Sequence, residues 1–129
     1  MKRSGILNRH LAGALAELGH GDEVLVCDAG MPIPPGPRVV DLAFRAGVPS
    51  FAEVLDGLLA ELVVEGATAA EEVRTAAPGT AGMLAERLPG LDHVSHEELK
   101  ARTVRARLVV RTGEATPYAN VSLRCGVFF

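Results

Sequence analysis

Tryptophan is absent and tyrosine occurs once, at position 118, so that aromatic residues make up 4% of the 129-residue chain. The core must therefore be packed from Ala, Leu and Val. Apolar residues reach 48% of the chain, which argues for a compact globular protein and against disorder. An excess of basic residues is also lacking. The formal charge is -3, which gives no support to a nucleic-acid partner. No apolar run approaches the ~20 residues that cross a bilayer, so no membrane partner is expected. The charged start Met1-Lys2-Arg3 is followed by Asn8, Arg9 and His10 rather than by an apolar stretch, and a cytoplasmic protein is expected. There is no Gly-rich phosphate loop and no nucleophile elbow. The histidines at 10, 20, 93 and 96 lack the spacing of a helical metal pair. Cys27 and Cys125 both lie in apolar runs and read as small buried hydrophobes rather than as a disulfide.

What is present alternates between strands and helices. Asn8 is a good N-cap, and Leu11, Ala14, Leu15 and Leu18 repeat at helical spacing, with Gly19 as the expected stop. Residues 23–27 form a continuously apolar strand. The stretch Met31-Pro32-Ile33-Pro34-Pro35-Gly36-Pro37 can be neither helix nor central strand, because proline removes backbone donors. Residues 38–44 read as the second strand. Ser50 and Glu53 announce a helix carrying Phe51, Val54, Leu55, Leu58, Leu59 and Leu62 on one face. Another strand lies within 63–73. A weaker helix spans 78–88, and Pro89-Gly90 ends it. A short strand at 91–94 leads to Ser95 and Glu98, which open a helix over 96–103. Strands at 107–111 and 120–128 complete the chain. The alternation predicts one α/β domain over residues 1–129: a mostly parallel or mixed central sheet flanked by helices, in three layers α/β/α. The apolar finish Gly126-Val127-Phe128-Phe129 reads either as a last strand inside the sheet or as a tail buried against a neighbouring subunit.

Several side chains could carry chemistry. His20 follows a helix C-terminus, where the dipole favours a protonated imidazole; it either caps the last carbonyls or serves in acid–base work. Asp28 ends the first strand, as a turn aspartate or as a ligand-binding carboxylate. A histidine and an aspartate brought to one sheet edge would make a proton-transfer pair. His96 opens a helix, whose positive end favours the neutral ring, and Lys100 lies one turn on along the same face. Tyr118 and Asn120, two residues apart on an extended segment, would point to the same side and offer groups suited to hydroxyls. Glu71, Glu72, Glu114 and Arg111 read as structural ion pairs at strand ends.

Taken together and in order, six runs resemble the ribose branch of the ribose/fucose mutarotase family. They are Gly5-Ile6-Leu7-Asn8, Leu18-Gly19-His20, Asp28-Ala29-Gly30-Met31-Pro32-Ile33-Pro34, Gly47-Val48-Pro49-Ser50-Phe51, Ser95-His96-Glu97-Glu98-Leu99-Lys100, and Arg111-Thr112-Gly113-Glu114 with Thr116-Pro117-Tyr118-Ala119-Asn120. The resemblance covers almost the whole chain. It implies an isomerase that interconverts the β-pyranose and β-furanose forms of D-ribose without metal or organic cofactor. It implies that His20 is the catalytic acid and that Asp28, His96, Lys100, Tyr118 and Asn120 line the sugar site. It also implies a cytoplasmic homo-oligomer, commonly a decamer of two stacked pentamers with sites at subunit contacts. Cys27 departs from the small residue usual beside the aspartate, and residues 76–91 match least. Two other functions stand beside this one: mutarotation of another sugar such as L-fucose, and non-catalytic sugar binding as a transporter accessory.

Overall fold

A computed structural model describes residues 1–129. In chain order the elements are α1 (Arg9–Ala16), β1 (Glu23–Cys27), β2 (Arg38–Asp41), α2 (Phe51–Leu59), β3 (Val64–Ala70), α3 (Val73–Ala76), α4 (Pro78–Arg87), β4 (Asp92–Val94), α5 (His96–Thr103), β5 (Leu108–Arg111) and β6 (Val121–Cys125). The strands form one sheet in the order β2-β5-β1-β6-β3-β4. β1, β2 and β5 run parallel, as do β3 and β4, and β6 is antiparallel to both of its neighbours. Five strands thus share a direction, and β6 alone runs against them. The carboxyl ends of the five and the amino end of β6 meet along one edge.

The two faces of the sheet are covered unequally. On one, Leu11 and Leu15 of α1, Phe51, Leu55 and Leu58 of α2, Val73 of α3 and Leu84 of α4 pack onto Val24, Val26, Val110 and Leu123. Alternation along β1 sends Leu25 and Cys27 to the other face, where they meet Val109, Ala106 and Met31 with Ile33 beside them. There α5 and the proline-rich loop form the cover, so the expected three layers are present with a thinner second outer layer. No helix is long and apolar enough to cross a membrane.

Local signals explain the helix starts. Asn8 Oδ1 accepts from the N–H groups of His10 and Leu11, Ser50 caps Glu53, and Ser95 caps Glu98. In both serine motifs only the serine half forms, and the Glu98 carboxylate pairs with Arg102 instead. Four expectations need correction. α1 ends at Ala16 with Glu17 as C-cap, and the residue with positive φ is Gly21 (φ +84), not Gly19. α2 stops before Leu62. β2 stops at Asp41 rather than running on to residue 44. The last strand ends at Cys125, leaving Phe128 and Phe129 about 90% exposed.

Candidate active site

Asp28 leaves the carboxyl end of β1 and is held from several sides. Its N–H donates to Asn120 Oδ1 at 2.8 Å, and Asn120 Nδ2 donates back to Asp28 Oδ2 at 3.0 Å. Its Oδ1 accepts from the Gly30 N–H at 2.9 Å, which is the turn aspartate anticipated from sequence. The turn role of Asp28 is thus seen directly, and the same residue lines a cleft. Asn120 is fully buried, so its carboxamide orients Asp28 rather than facing solvent.

The next residue, Ala29, is gripped through its peptide groups. Its N–H donates to the Glu114 carbonyl at 2.9 Å, and its carbonyl accepts from Arg111 Nε and Nη2 at 3.0 and 2.8 Å. Arg111 is steadied in turn by the Asp41 carboxylate at 2.8 Å. An ion pair at Arg111 was anticipated; Asp41 as its partner and the clamping of the Asp28 loop were not.

His96 is the first residue of α5. The Glu72 carboxylate accepts its backbone N–H at 2.9 and 3.2 Å, which supplies a partner for a helix-terminal donor. The ring stands edge-on to Tyr118, with centroids 5.0 Å apart. Its Nδ1 is buried and has no protein partner. Buried polar atoms without partners are uncommon and costly, and this nitrogen is the one such side-chain atom in the chain. Tyr118 reaches the ring through a route the sequence pattern missed. Its φ is +63 and the Asn120 N–H donates to its carbonyl. The segment is a tight turn, not an extended strand, and the argument from alternation fails.

Asp28, His96 and Tyr118 line a single cleft of about 350 Å³, together with residues 29–32 and 114–117. That volume is at the lower end of the ~300–1,000 Å³ typical of small-molecule sites. Lys100 is not among the lining residues; its ammonium lies on the Glu97 carboxylate, which holds Glu97 below the ordinary carboxylate pKa. A larger hollow of about 670 Å³ lies at the opposite sheet edge. There Glu17, Asp22 and Glu23 balance Arg38, Arg105 and Arg107, and no buried polar atom is left unpartnered.

Glu114, expected from sequence in an ion pair, instead lies in the wall of the cleft. Burial pushes its carboxyl up, but hydrogen bonds from the Phe51 N–H, Thr116 and the Ala115 N–H outweigh it and leave the pKa below the usual value. Its partners are mostly backbone N–H groups brought together by the fold, which no residue pattern announces. Cys27, beside Asp28, is fully buried. Burial and the neighbouring Asp28 charge push its thiol up to about 12.

His20 stands elsewhere. It precedes β1, so the five residues of that strand, about 16 Å at ~3.3 Å each, separate it from the Asp28 edge. The expectation that one chain brings His20 and Asp28 to the same edge is therefore corrected. Nor does His20 cap α1, which ends four residues earlier. Its Nε2 instead lies 3.0 Å from Glu65 Oε2, and Glu65 Oε1 lies 3.0 Å from Arg124 Nε. The imidazole is largely exposed.

Residues 1–128 match the model of the RbsD / FucU transport protein family. The chain is 80% identical to D-ribose pyranase 2 of Streptomyces griseus and 66% identical to D-ribose pyranase 1 of Rubrobacter xylanophilus, in each case over the full length of both chains. Among solved structures it is similar to Bacillus subtilis RbsD complexed with D-ribose, at 43% identity, full coverage of both chains and a TM-score of 0.95. The fold also matches a fucose mutarotase from Streptococcus pneumoniae in complex with L-fucose, at 23% identity, full coverage and a TM-score of 0.85.

Proposed function

Because the chain belongs to the RbsD / FucU transport protein family, we propose that it is an isomerase interconverting the β-pyranose and β-furanose forms of D-ribose. The observation that carries this reading is the Asp28–His96–Tyr118 cleft, set in a fold that follows a D-ribose complex along its whole length. Residues 1–129 act as one domain.

The chemistry needs only proton movements. Opening the pyranose removes a proton from the anomeric hydroxyl and delivers one to the ring oxygen. Closing to the furanose reverses this, with the C4 hydroxyl attacking the aldehyde in place of the C5 hydroxyl. Asp28, fixed by Asn120, accepts from a sugar hydroxyl. The partnerless Nδ1 of His96 and the Tyr118 phenol bind neighbouring oxygens. Lys100 contributes at the rim once it leaves Glu97. His20 is the acid for the ring oxygen. Since one chain holds it at the wrong edge, the His20 that serves a cleft comes from a second copy, with Glu65 orienting the ring through Nε2 and leaving Nδ1 for the sugar.

Sharing of sites between copies fits a homo-oligomer, which we propose to be a cytoplasmic decamer of two stacked pentamers. The exposed Phe44, Phe128 and Phe129 supply apolar surface for such contacts. Saturation-transfer NMR on D-ribose tests the function. An isomerase increases magnetisation transfer between pyranose and furanose signals. A sugar-binding accessory to transport, the reading suggested by the family's description, leaves the exchange rate unchanged. Running L-fucose in parallel decides which sugar the site prefers.

A further inference from the structure

We infer that Glu114 is the positioning residue of the sugar site, holding in place the segments that present Tyr118 and Asp28. The inference rests on the reading of the cleft as the ribose site. Glu114 lies in the wall of that cleft. Its Oε1 accepts from both the N–H and the hydroxyl of Thr116, at 3.2 and 2.8 Å. Its Oε2 accepts from the N–H of Phe51, the first residue of α2, at 3.0 Å. Its backbone carbonyl accepts from the Ala29 N–H, and its own N–H donates to Thr112 Oγ1, whose hydroxyl donates to the Cys27 carbonyl.

One residue thus ties together the loop after β1, the start of α2 and the turn before β6. These segments are distant in sequence; Asn120 ties the first to the third and Gly113 bonds Pro49 ahead of α2, but Glu114 alone bonds all three. Tyr118 needs it most. The phenol is carried by a residue in the left-handed region, a conformation that costs a non-glycine residue of the order of 1 kcal/mol or more. Such a turn persists only where neighbouring contacts fix it, and the Thr116 grip lies two residues away. A carboxylate suits the position because all its side-chain partners are donors. A carboxamide keeps one acceptor oxygen and turns an N–H toward a donor.

The single tyrosine and the absence of tryptophan make the test direct, since intrinsic fluorescence reports Tyr118 alone. Glu114→Ala, Glu114→Gln and Thr116→Val are compared with the unaltered protein for Tyr118 quenching by acrylamide, for KM and kcat on D-ribose, and for Tm. The inference predicts freer quenching in all three. It predicts a KM raised about tenfold in Glu114→Ala, equivalent to ~1.4 kcal/mol, a smaller rise in Glu114→Gln, and kcat far less affected. Lower Tm with unchanged KM and unchanged quenching would overturn it, leaving Glu114 a purely structural residue. If Glu114→Ala does not fold, Thr116→Val decides by the same two readouts. If the unaltered protein fails to exchange ribose, the functional reading falls, while the quenching comparison still decides the role of Glu114.

Discussion

Replacing Asn120 by alanine removes the side chain that aims Asp28. Two hydrogen bonds go with it, at 2.8 and 3.0 Å. The bond from the Asp28 N–H contributes about 1 kcal/mol, and the bond to the Asp28 carboxylate, being charge-assisted, about 1.5–3 kcal/mol. The loss is then about 2.5–4 kcal/mol. With ~2.1 cal/mol/K of unfolding entropy per residue over 129 residues, Tm falls by about 9–15 °C. The lower end is expected, because Asp28 borders the cleft and water replaces part of what is lost. Asn120→Asp separates polar chemistry from volume. It preserves shape and the acceptor for the Asp28 N–H, but sets a second carboxylate about 3 Å from the first. An attraction becomes a repulsion of several kcal/mol at an effective dielectric of ~20. Calorimetric scans at one protein concentration, with D-ribose affinity measured alongside, read both variants. Melting of the aspartate variant within about 2 °C of the unaltered protein, with ribose affinity intact, would refute the reasoning.

Three further outcomes follow from other parts of the molecule. A Cβ at Gly113 would lie 2.2 Å from the Val48 carbonyl oxygen and 2.6 Å from that of Arg45, and both are backbone atoms that cannot swing away. Gly113→Ala should therefore cost at least the ~1–3 kcal/mol of an overpacked site and should weaken the Phe51–Glu114 contact; an unchanged Tm argues against the packing described. Cys27 and Cys125 both have thiols raised chiefly by burial, Cys27 to about 12, so iodoacetamide at pH 8 should label neither in the native protein and both after unfolding. Glu114 is held below its ordinary value of 4.5. Its contribution is therefore present above that value and lost as pH falls through the lower folded one, so the stability gap between the unaltered protein and Glu114→Gln should narrow in acid. A gap that stays constant from pH 7 to pH 3 contradicts this.

Local chemistry made much of this molecule legible from its residues. Ser95 before His96, the apolar run Val24 to Cys27, and the prolines from 32 to 37 each specify their structure through near neighbours, and each element falls where expected. Asp28, His96 and Tyr118 were recognisable as polar groups at element ends, and the fold gathers them into one cleft. What was not legible depends on pairing across the chain. Nothing local tells that β6 runs antiparallel between β1 and β3, and that direction places Asn120 beside Asp28. Nothing local tells that Glu65 faces His20, or that β1 carries His20 and Asp28 to opposite edges. Glu72 and Glu114 looked like ion-pair partners because carboxylates usually are; both instead hold backbone N–H groups delivered by distant segments.

The most direct test of the account mixes two inactive proteins. His20→Ala lacks the proposed acid, and Asp28→Ala lacks the carboxylate of the cleft. Each alone should fail to speed pyranose–furanose exchange of D-ribose in saturation-transfer NMR. After the two are dissociated, mixed and reassembled, some contacts join an intact His20 to an intact cleft, and exchange should return to a fraction of the unaltered rate. No recovery in assembled mixtures, or full activity in the His20→Ala protein alone, would contradict a ring-opening site shared between copies of this chain.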